Sequence, residues 1–191
     1  LDKYIWQGVA SWLRGRIDRG LRVVPISLNV SRVDILACDV AEHMGALATQ
    51  YNLPPELMRI EITETAYTGE SEAVDRLTAE LHNRGFSTYM DDFGTGQSTL
   101  AMLKSVNVDV IKLDRTFVPA GKADERSTQI VSSMLGMAQS LKLPVVIEGV
   151  ETEGQAQLLR QMGARFAQGF LYYRPMPAKD FEALLDSGGD N

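Results

Sequence analysis

The pattern that most constrains the fold of this chain is an alternation of strand-like and helix-like segments along almost its whole length. Short runs of branched apolar residues, typical of buried strands, alternate with longer segments whose apolar residues recur every three or four positions. The runs predict six strands, at 23–30, 58–65, 87–92, 108–114, 145–148 and 166–172. The helical spacing predicts helices at 5–17, 31–50, 70–83, 98–105, 127–141, 155–162 and 178–186.

Strands separated by helices form right-handed βαβ units, so the pattern predicts an α/β fold with a parallel sheet. Functional residues are then expected at the carboxyl ends of the strands. An open doubly wound sheet uses six strands comfortably, whereas an eight-stranded barrel usually needs about 250 residues, and the chain has 191. Length therefore favours the open sheet. The first predicted helix has no strand before it, however, which suggests that the chain enters a repeating βα pattern partway through.

Charge and cysteine content limit the partners and the cellular environment of the chain. It has 19 Lys and Arg against 25 Asp and Glu, a net charge of −6, and its basic residues form no stripe. This balance argues against sequence-independent binding to DNA, RNA or an anionic bilayer. No apolar run approaches the roughly 20 residues that cross a membrane, so any membrane tether must come from other domains. With one cysteine, Cys38, and no secretory signal, we expect a cytoplasmic protein.

Acidic side chains stand at or near the carboxyl ends of the predicted strands. A single such residue is most simply a solvated strand end or a helix cap, but several carboxylates that converge on one rim repel one another unless cations hold them together. Oxygen ligands of this kind favour Mg²⁺ or Mn²⁺ over Zn²⁺. The candidates are Asn29, Glu61, Glu64, Asp91, Asp92, Glu148 and Glu151, with Lys112 among them in the fourth strand.

Other chemistries lack their central residues. His43 and His82 fall in helical segments, where a solvated helix face is the simplest interpretation, so serine-triad and histidine-metal sites are set aside. Cys38 also falls in a predicted helix and is most simply a small core residue.

The glycine-rich segment 94–99 follows a strand and begins a helix. It lacks the third glycine of a dinucleotide-binding fingerprint and the lysine of a P-loop. Its glycines still allow a sharp backbone turn beside Asp91 and Asp92, which a metal site there would require.

Six short motifs stand in one register along the chain: SLNVS at 27–31, EITE at 61–64, DDFGTG at 91–96, IKLD at 111–114, EGVET at 148–152, and Gln168-Gly169 with Pro175-Met176-Pro177. In this order and at these intervals they resemble the motifs of EAL domains, the bacterial cyclic di-GMP phosphodiesterases. The resemblance covers nearly the whole chain. It implies a TIM-type (β/α) barrel and hydrolysis of cyclic di-GMP to the linear dinucleotide pGpG.

The resemblance also implies a role for each candidate residue. Two divalent cations, Mg²⁺ or Mn²⁺ with Ca²⁺ inhibitory, would be held by Asn29, Glu61, Asp91 and Asp92. Glu148 would be the general base for the attacking water, and Lys112 would orient that water or neutralise charge on phosphorus. The remaining residues would position substrate or support the ligands: Gln168, Glu151, and Glu64 as a brace for the loop with Gly94, Thr95 and Gly96.

The Glu-Ala-Leu motif that names the family supplies a metal-binding glutamate and is expected a few tens of residues before Asn29, upstream of the first residue here. Glu182-Ala183-Leu184 spells the same letters, but it falls in the last predicted helix and is interpreted as a coincidence. We therefore expect residues 1–191 to be one EAL domain without its N-terminal strands, impaired in activity and prone to self-association. A sensory or cyclase domain upstream and a homodimer through the region after Asp91-Asp92 are also expected.

Two alternatives stay open at this point. One is a regulatory module that binds cyclic di-GMP or a partner protein without cleaving the nucleotide. The intact ligand set argues against it, and the expected missing strands argue for an inactive domain. The other is an unrelated open-sheet enzyme, which would be a stable monomer without nucleotide affinity.

Overall fold

The structure, a computed structural model, describes residues 1–69, 71–95, 107–119 and 125–188. Within these ranges six strands form one sheet: β1 (Ile26–Val30), β2 (Met58–Thr63), β3 (Ser87–Phe93), β4 (Val110–Leu113), β5 (Val145–Ile147) and β6 (Phe166–Ala167). The helices are α1 (Asp2–Asp18), α2 (Arg32–Ala37), α3 (Val40–Gln50), α4 (Glu64–Gly69), α5 (Ser71–Asn83), α6 (Glu125–Ser140), α7 (Glu153–Gln161) and α8 (Ala178–Asp186). Two 3₁₀ turns are Pro55–Leu57 and Arg115–Phe117.

The strands lie side by side in chain order, each parallel to the next, from β1 to β6. A doubly wound sheet needs a point where the strand order reverses, and the described strands contain no such point. Crossovers of one hand then place the connecting helices on one face of the sheet, as in a barrel. The barrel-type α/β fold is therefore confirmed, and the open doubly wound sheet that chain length favoured is wrong.

The two faces of the sheet differ in polarity because strand side chains alternate between them. The helix-covered face is apolar and buried, with Leu28, Val30, Ile60, Ile62, Met90, Ile111 and Leu113 in the core. The opposite face lines a cavity of about 410 Å³ whose polar residues include Ser27, Arg59, Glu61, Tyr89 and Lys112. The polar side chains of the described strands are therefore concentrated on this second face and at the strand ends.

The first and last of the described helices, α1 and α8, contact each other. Trp12 Nε1 of α1 donates a hydrogen bond of 2.6 Å to Glu182 Oε1 of α8, and the Trp12 ring stacks on Phe181 with the ring centres 6.1 Å apart. Arg16 of α1 forms an ion pair with Asp186 of α8. Glu182-Ala183-Leu184 thus belongs to α8, with no strand there, as expected. None of the described helices is long and apolar enough to cross a bilayer.

Several elements differ from the sequence prediction, among them the strand predicted at 58–65, which ends at Thr63 because a helix begins at Glu64. The predicted helix 31–50 is two helices, because Cys38 has an extended backbone (φ −155°) and Asp39 begins α3 by accepting a hydrogen bond from Glu42 N at 2.8 Å. Cys38 therefore lies between helices rather than on one. The predicted strand 166–172 is a two-residue strand followed by a turn. The predicted helix 98–105 lies outside the described residues.

The histidines lie on helices, as predicted, and far from the strand carboxyl ends. His43 is on α3, with its ring 5.7 Å from that of Trp6. His82 is on α5 but does more than face solvent, because its Nε2 lies 2.9 Å from Thr88 Oγ1 and 3.0 Å from Asp109 Oδ2. These contacts tie α5 to the amino ends of β3 and β4.

Candidate active site

Lys112 lies at the centre of the candidate site, on β4. Its Nζ is 2.8 Å from Asp91 Oδ1, 2.9 Å from Glu61 Oε2 and 2.9 Å from Glu148 Oε1. The side chain is 7% exposed, so these contacts are formed away from bulk water. Strands β2 to β4 and the end of β5 thus bring together four of the residues that the sequence analysis selected.

A bulge in β3 turns two consecutive acidic residues into the site. Consecutive side chains of a regular strand point to opposite faces. The pairing of β3 with β4 shifts register between Met90 and Phe93, and Asp92 has a positive φ of 55°. Asp is one of the few residues that adopt this conformation readily. The bulge therefore lets both Asp91 and Asp92 approach Glu148.

Asp91, Asp92 and Glu148 form a cluster that could hold a divalent cation. Each offers a carboxylate oxygen, and these oxygens lie within 4.8 Å of one another. Mg²⁺ and Mn²⁺ prefer oxygen ligands, so the donor set fits such an ion. Glu148, expected as the general base, is thus placed beside the carboxylates expected to bind metal.

The other two expected metal ligands lie one and two strands away from Asp91. Glu61 joins the group through its contact with Lys112 and is 10% exposed. Asn29 is paired in register with Glu61 on the neighbouring strand β1. Its side chain is exposed, and among the described residues it makes no hydrogen bond.

Glu64 contacts the turn that follows Asp92. It begins α4 rather than ending a strand, and its side chain is fully buried. Its Oε2 accepts a hydrogen bond of 2.5 Å from Gly94 N, and Thr95 Oγ1 donates one of 2.9 Å to Asp92 O. These bonds hold the turn against α4. Gly96 lies outside the described residues.

Gln168 and Glu151 line the side of the site beyond β5. Both are exposed and border a cavity of about 350 Å³ that also reaches Asp92 and Glu148. The backbone around Gln168 is fixed by bonds from Gln168 N to Ile147 O at 2.8 Å and from Val150 N to Gln168 O at 3.0 Å. Neither side chain contacts the Lys112 group directly among the described contacts.

Burial and like charges shift the proton affinities of the cluster. Burial raises the pKa of Glu148, assisted by Asp91 and Glu61, although hydrogen bonding to Lys112 opposes the change. Burial also raises the pKa of Asp92, as do the neighbouring Asp91 and Asp114. For Lys112, burial favours the neutral amine, but hydrogen bonds to Asp91, Glu148 and Glu61 outweigh it and raise the pKa. The cluster has more negative than positive charge, which a divalent cation would balance.

The sequence analysis missed four residues at this site. Asp114, Arg115 and Phe170 line the same cavity as Glu148, and the Arg115–Phe117 turn packs against the loops on both sides of it. The available signal was the IKLD motif, since Asp114 is its last residue and Arg115 to Phe117 follow it directly. Phe170 follows the Gln168-Gly169 motif, but an exposed aromatic residue alone does not indicate a site.

Sequential parallel strands with an acidic cluster at their carboxyl ends define a barrel-type α/β protein whose candidate centre is built from oxygen ligands. The family model described as "EAL domain" matches residues 3–175, so the chain belongs to the EAL domain family. This membership excludes the unrelated open-sheet enzyme.

Similar proteins include a relative that is named as a cyclic di-GMP phosphodiesterase. The cyclic di-GMP phosphodiesterase RocR of Pseudomonas aeruginosa is 37% identical over 183 residues, which are 95% of this chain and 47% of RocR. An uncharacterized protein of Azorhizobium caulinodans is 40% identical over 168 residues, 88% of this chain and 23% of that protein. The chain therefore spans less than half the length of either relative.

Solved structures agree with this fold. The EAL domain of Mycobacterium smegmatis DcpA superposes with a TM-score of 0.90 at 32% identity, covering 98% of this chain and 85% of that one. The PaMucR phosphodiesterase in complex with c-di-GMP gives 0.84 at 28% identity, covering 94% and 78%.

Proposed function

We propose that this domain is a metal-dependent phosphodiesterase that hydrolyses cyclic di-GMP to linear pGpG. The observation that carries the proposal is the grouping of Asp91, Asp92 and Glu148 around Lys112 at the strand ends. Its support is membership of the EAL family and the phosphodiesterase names of relatives such as RocR.

In this proposal two Mg²⁺ or Mn²⁺ ions would be held by Asp91 and Asp92 with Glu61 and Asn29 on the adjoining strands. Divalent cations supply charge neutralisation at the phosphate and lower the pKa of a water molecule. Ca²⁺ would bind the same oxygens but is expected to inhibit. Because the protein has a net charge of −6, bound cations also provide the positive charge that a doubly anionic dinucleotide needs.

The protein side chains move the proton and hold the charge. Water would attack phosphorus and lose a proton to Glu148, while the bond from phosphorus to one ribose oxygen breaks and that oxygen takes up a proton from solvent; Glu148 then returns its own proton to solvent. Lys112, already within hydrogen-bond distance of Glu148, stabilises the negative charge that develops on phosphorus. Gln168 and Glu151 border the cavity in which the rest of the nucleotide would lie.

The decisive experiment is Glu148→Gln, because the amide preserves size but cannot accept the proton. We expect pGpG formation with Mn²⁺ to fall at least a hundredfold, a loss of about 2.7 kcal/mol of transition-state stabilisation. Product is measured by chromatography after incubation with cyclic di-GMP.

The matched control is Glu153→Gln, the same chemical change at an exposed glutamate that pairs with Arg160 on the surface. It should retain wild-type turnover. Normal product formation by Glu148→Gln would remove Glu148 from its proposed role.

The expected homodimer through the region after Asp91-Asp92 stays a prediction, because residues 96–106 lie outside the described part of the chain.

A further inference from the structure

The residues of the acidic cluster are each followed by a turn that contains a glycine. Gly94 follows Asp91 and Asp92 with φ +97°, and Gly149 follows Glu148 with φ +71°. Both conformations favour glycine because a side chain would be strained there. The cluster is therefore formed where two separate loops approach each other.

The 3₁₀ turn Arg115–Phe117, which follows β4, lies between these two loops. A methyl group on Gly94 would overlap the ring of Phe117, and one on Gly149 would overlap Cβ of Arg115 and lie 3.2 Å from Arg115 Cα. The turn is thus in direct contact with both glycines. It touches the Asp92 loop with an aromatic ring and the Glu148 loop with atoms close to its own backbone.

Hydrogen bonds give this turn a fixed shape and position. Thr116 N donates to Asp114 Oδ1 at 2.9 Å, and Phe117 N donates to Asp114 O at 3.1 Å. The two residues before the turn are bonded to neighbouring elements, from Asp114 N to Phe93 O of β3 at 3.4 Å and from Glu148 N to Leu113 O at 3.0 Å. These bonds fix the start of the turn between β3 and the Glu148 loop.

We propose that the Arg115–Phe117 turn is a spacer that sets the separation between the Asp91-Asp92 loop and the Glu148 loop, and thereby the affinity of the acidic cluster for divalent cations. Phe117 and the Cβ atom of Arg115 are positioning residues in this scheme. The spacer rests on the metal site of the proposed function. Oxygen ligands bind Mg²⁺ and Mn²⁺ only at closely defined distances, so a small shift of one loop weakens binding.

A matched pair of variants isolates the contact at Gly149. Arg115→Ala and Arg115→Gly both remove the guanidinium charge, but only Arg115→Gly removes the Cβ atom that contacts Gly149. We expect Arg115→Ala to bind Mn²⁺ like the wild type and Arg115→Gly to bind it about tenfold more weakly, which corresponds to about 1.4 kcal/mol. Mn²⁺ alone is titrated calorimetrically, without nucleotide.

A second pair tests the contact at Gly94. Phe117→Leu replaces the ring that contacts Gly94 with a smaller aliphatic side chain. Phe181→Leu makes the same change at another half-buried aromatic residue, on α8. Both should lower the melting temperature of the metal-free protein. Only Phe117→Leu should weaken Mn²⁺ binding by about tenfold, because a general loss of stability does not alter the cluster.

The spacer proposal would be overturned if Arg115→Gly and Arg115→Ala bound Mn²⁺ with equal affinity. It would also be overturned if Phe117→Leu and Phe181→Leu lost Mn²⁺ affinity to the same extent. A parallel pGpG assay on the wild type separates this result from failure of the proposed function. If the wild type binds Mn²⁺ and the variants differ as expected but no pGpG forms, the spacer stands and the phosphodiesterase assignment fails. If the wild type binds no Mn²⁺, both are wrong.

Discussion

Lys112 is the residue on which the charge balance of the site depends. It is 7% exposed and contacts three carboxylates that are 10%, 16% and 17% exposed: Glu61, Asp91 and Glu148. Removal of one partner from a buried ion pair usually destabilises a protein by about 3–5 kcal/mol, because the remaining charge is left without compensation. We therefore expect Lys112 to contribute to the stability of the fold as well as to the proposed reaction.

We predict that Lys112→Met lowers the free energy of unfolding by about 3 kcal/mol at pH 7 in the presence of a chelator. The folded-state pKa of Lys112 is raised, so its contribution is complete below the ordinary lysine pKa of about 10.4 and is lost only as pH rises through the folded value. Urea unfolding of both proteins provides the measurement.

The pH dependence supplies the check on this prediction. The pKa of Glu148 is raised, so on acidification this carboxyl takes up a proton at a higher pH than an ordinary glutamate. Once neutral, it no longer gains from the positive charge of Lys112. The difference between wild type and Lys112→Met should therefore begin to shrink on acidification while the pH is still above the ordinary glutamate pKa of 4.5, and continue to shrink below it. A difference that stays constant from pH 7 to pH 4 would show that Lys112 stabilises the fold by packing rather than by charge.

Single residues also show how far the sequence could predict the site. Asp91, Lys112 and Glu148 could be selected because strand carboxyl ends converge in a parallel sheet. The bulge at Asp92 could not, since alternation would place Asp91 and Asp92 on opposite faces. The position of Arg115 and Phe117 after the IKLD motif was visible in the sequence, but their contacts with two glycines were not, because these depend on the distance between loops that are far apart in the chain.

At the scale of elements, the packing of α1 on α8 rests on a buried arginine. Arg16 is fully buried, its Nε donates to Arg22 O at 2.8 Å, and its guanidinium pairs with Asp186, which is 43% exposed. Its NH1 group is buried without a hydrogen-bond partner among the described residues. The charge of Arg16 is therefore balanced by Asp186.

We predict that Asp186→Ala destabilises the protein by about 1–3 kcal/mol, the range for loss of a hydrogen bond to a charged buried group. The matched control is Asp18→Ala, which removes the partner of Arg14 within α1. Asp18 is 64% exposed, more than Asp186, so its loss should lower the free energy of unfolding by less than about 0.5 kcal/mol. Denaturant unfolding distinguishes them. Equal effects of the two substitutions would show that Arg16 does not depend on Asp186.

The element boundaries show why local pattern is an incomplete guide. Apolar periodicity continues through 31–50, but the Asp39 side chain caps a new helix at Val40, and capping competes with continued helix at such a residue. Strand β6 is short because only Val146 and Ile147 of β5 pair with it. Strand length therefore depended on a neighbour, whereas helices α1, α6 and α8 could be predicted from their own spacing.

At the scale of the whole molecule, the sheet has two edges. Among the described strands, β1 and β6 each pair on one side only, and Phe166 of β6 is 54% exposed. Unpaired edges with apolar side chains promote association with other chains, and lysine on an edge opposes it.

We predict that the protein associates as its concentration rises and that Phe166→Lys reduces this association. Sedimentation velocity at increasing concentration provides the measurement. Tyr4→Lys adds the same charge at an exposed aromatic residue of α1, 80% exposed and outside the sheet, and should leave the association unchanged. Equal effects would indicate that net charge, rather than the β6 edge, controls association.

The strand order also has a consequence for how the chain folds. Neighbouring strands are neighbours in sequence, so each βα unit can join the growing sheet by closing only a short loop. The contact between α1 and α8 instead joins residues 170 positions apart. Closing a flexible loop of that length directly would cost a length-dependent entropy of about 4.5 kcal/mol, so the contact is expected to form after the strands between the two helices have folded. Helix α8 is therefore expected to dock last and detach first, which would open the cavity beside Gln168 and Phe181 while the sheet stays folded.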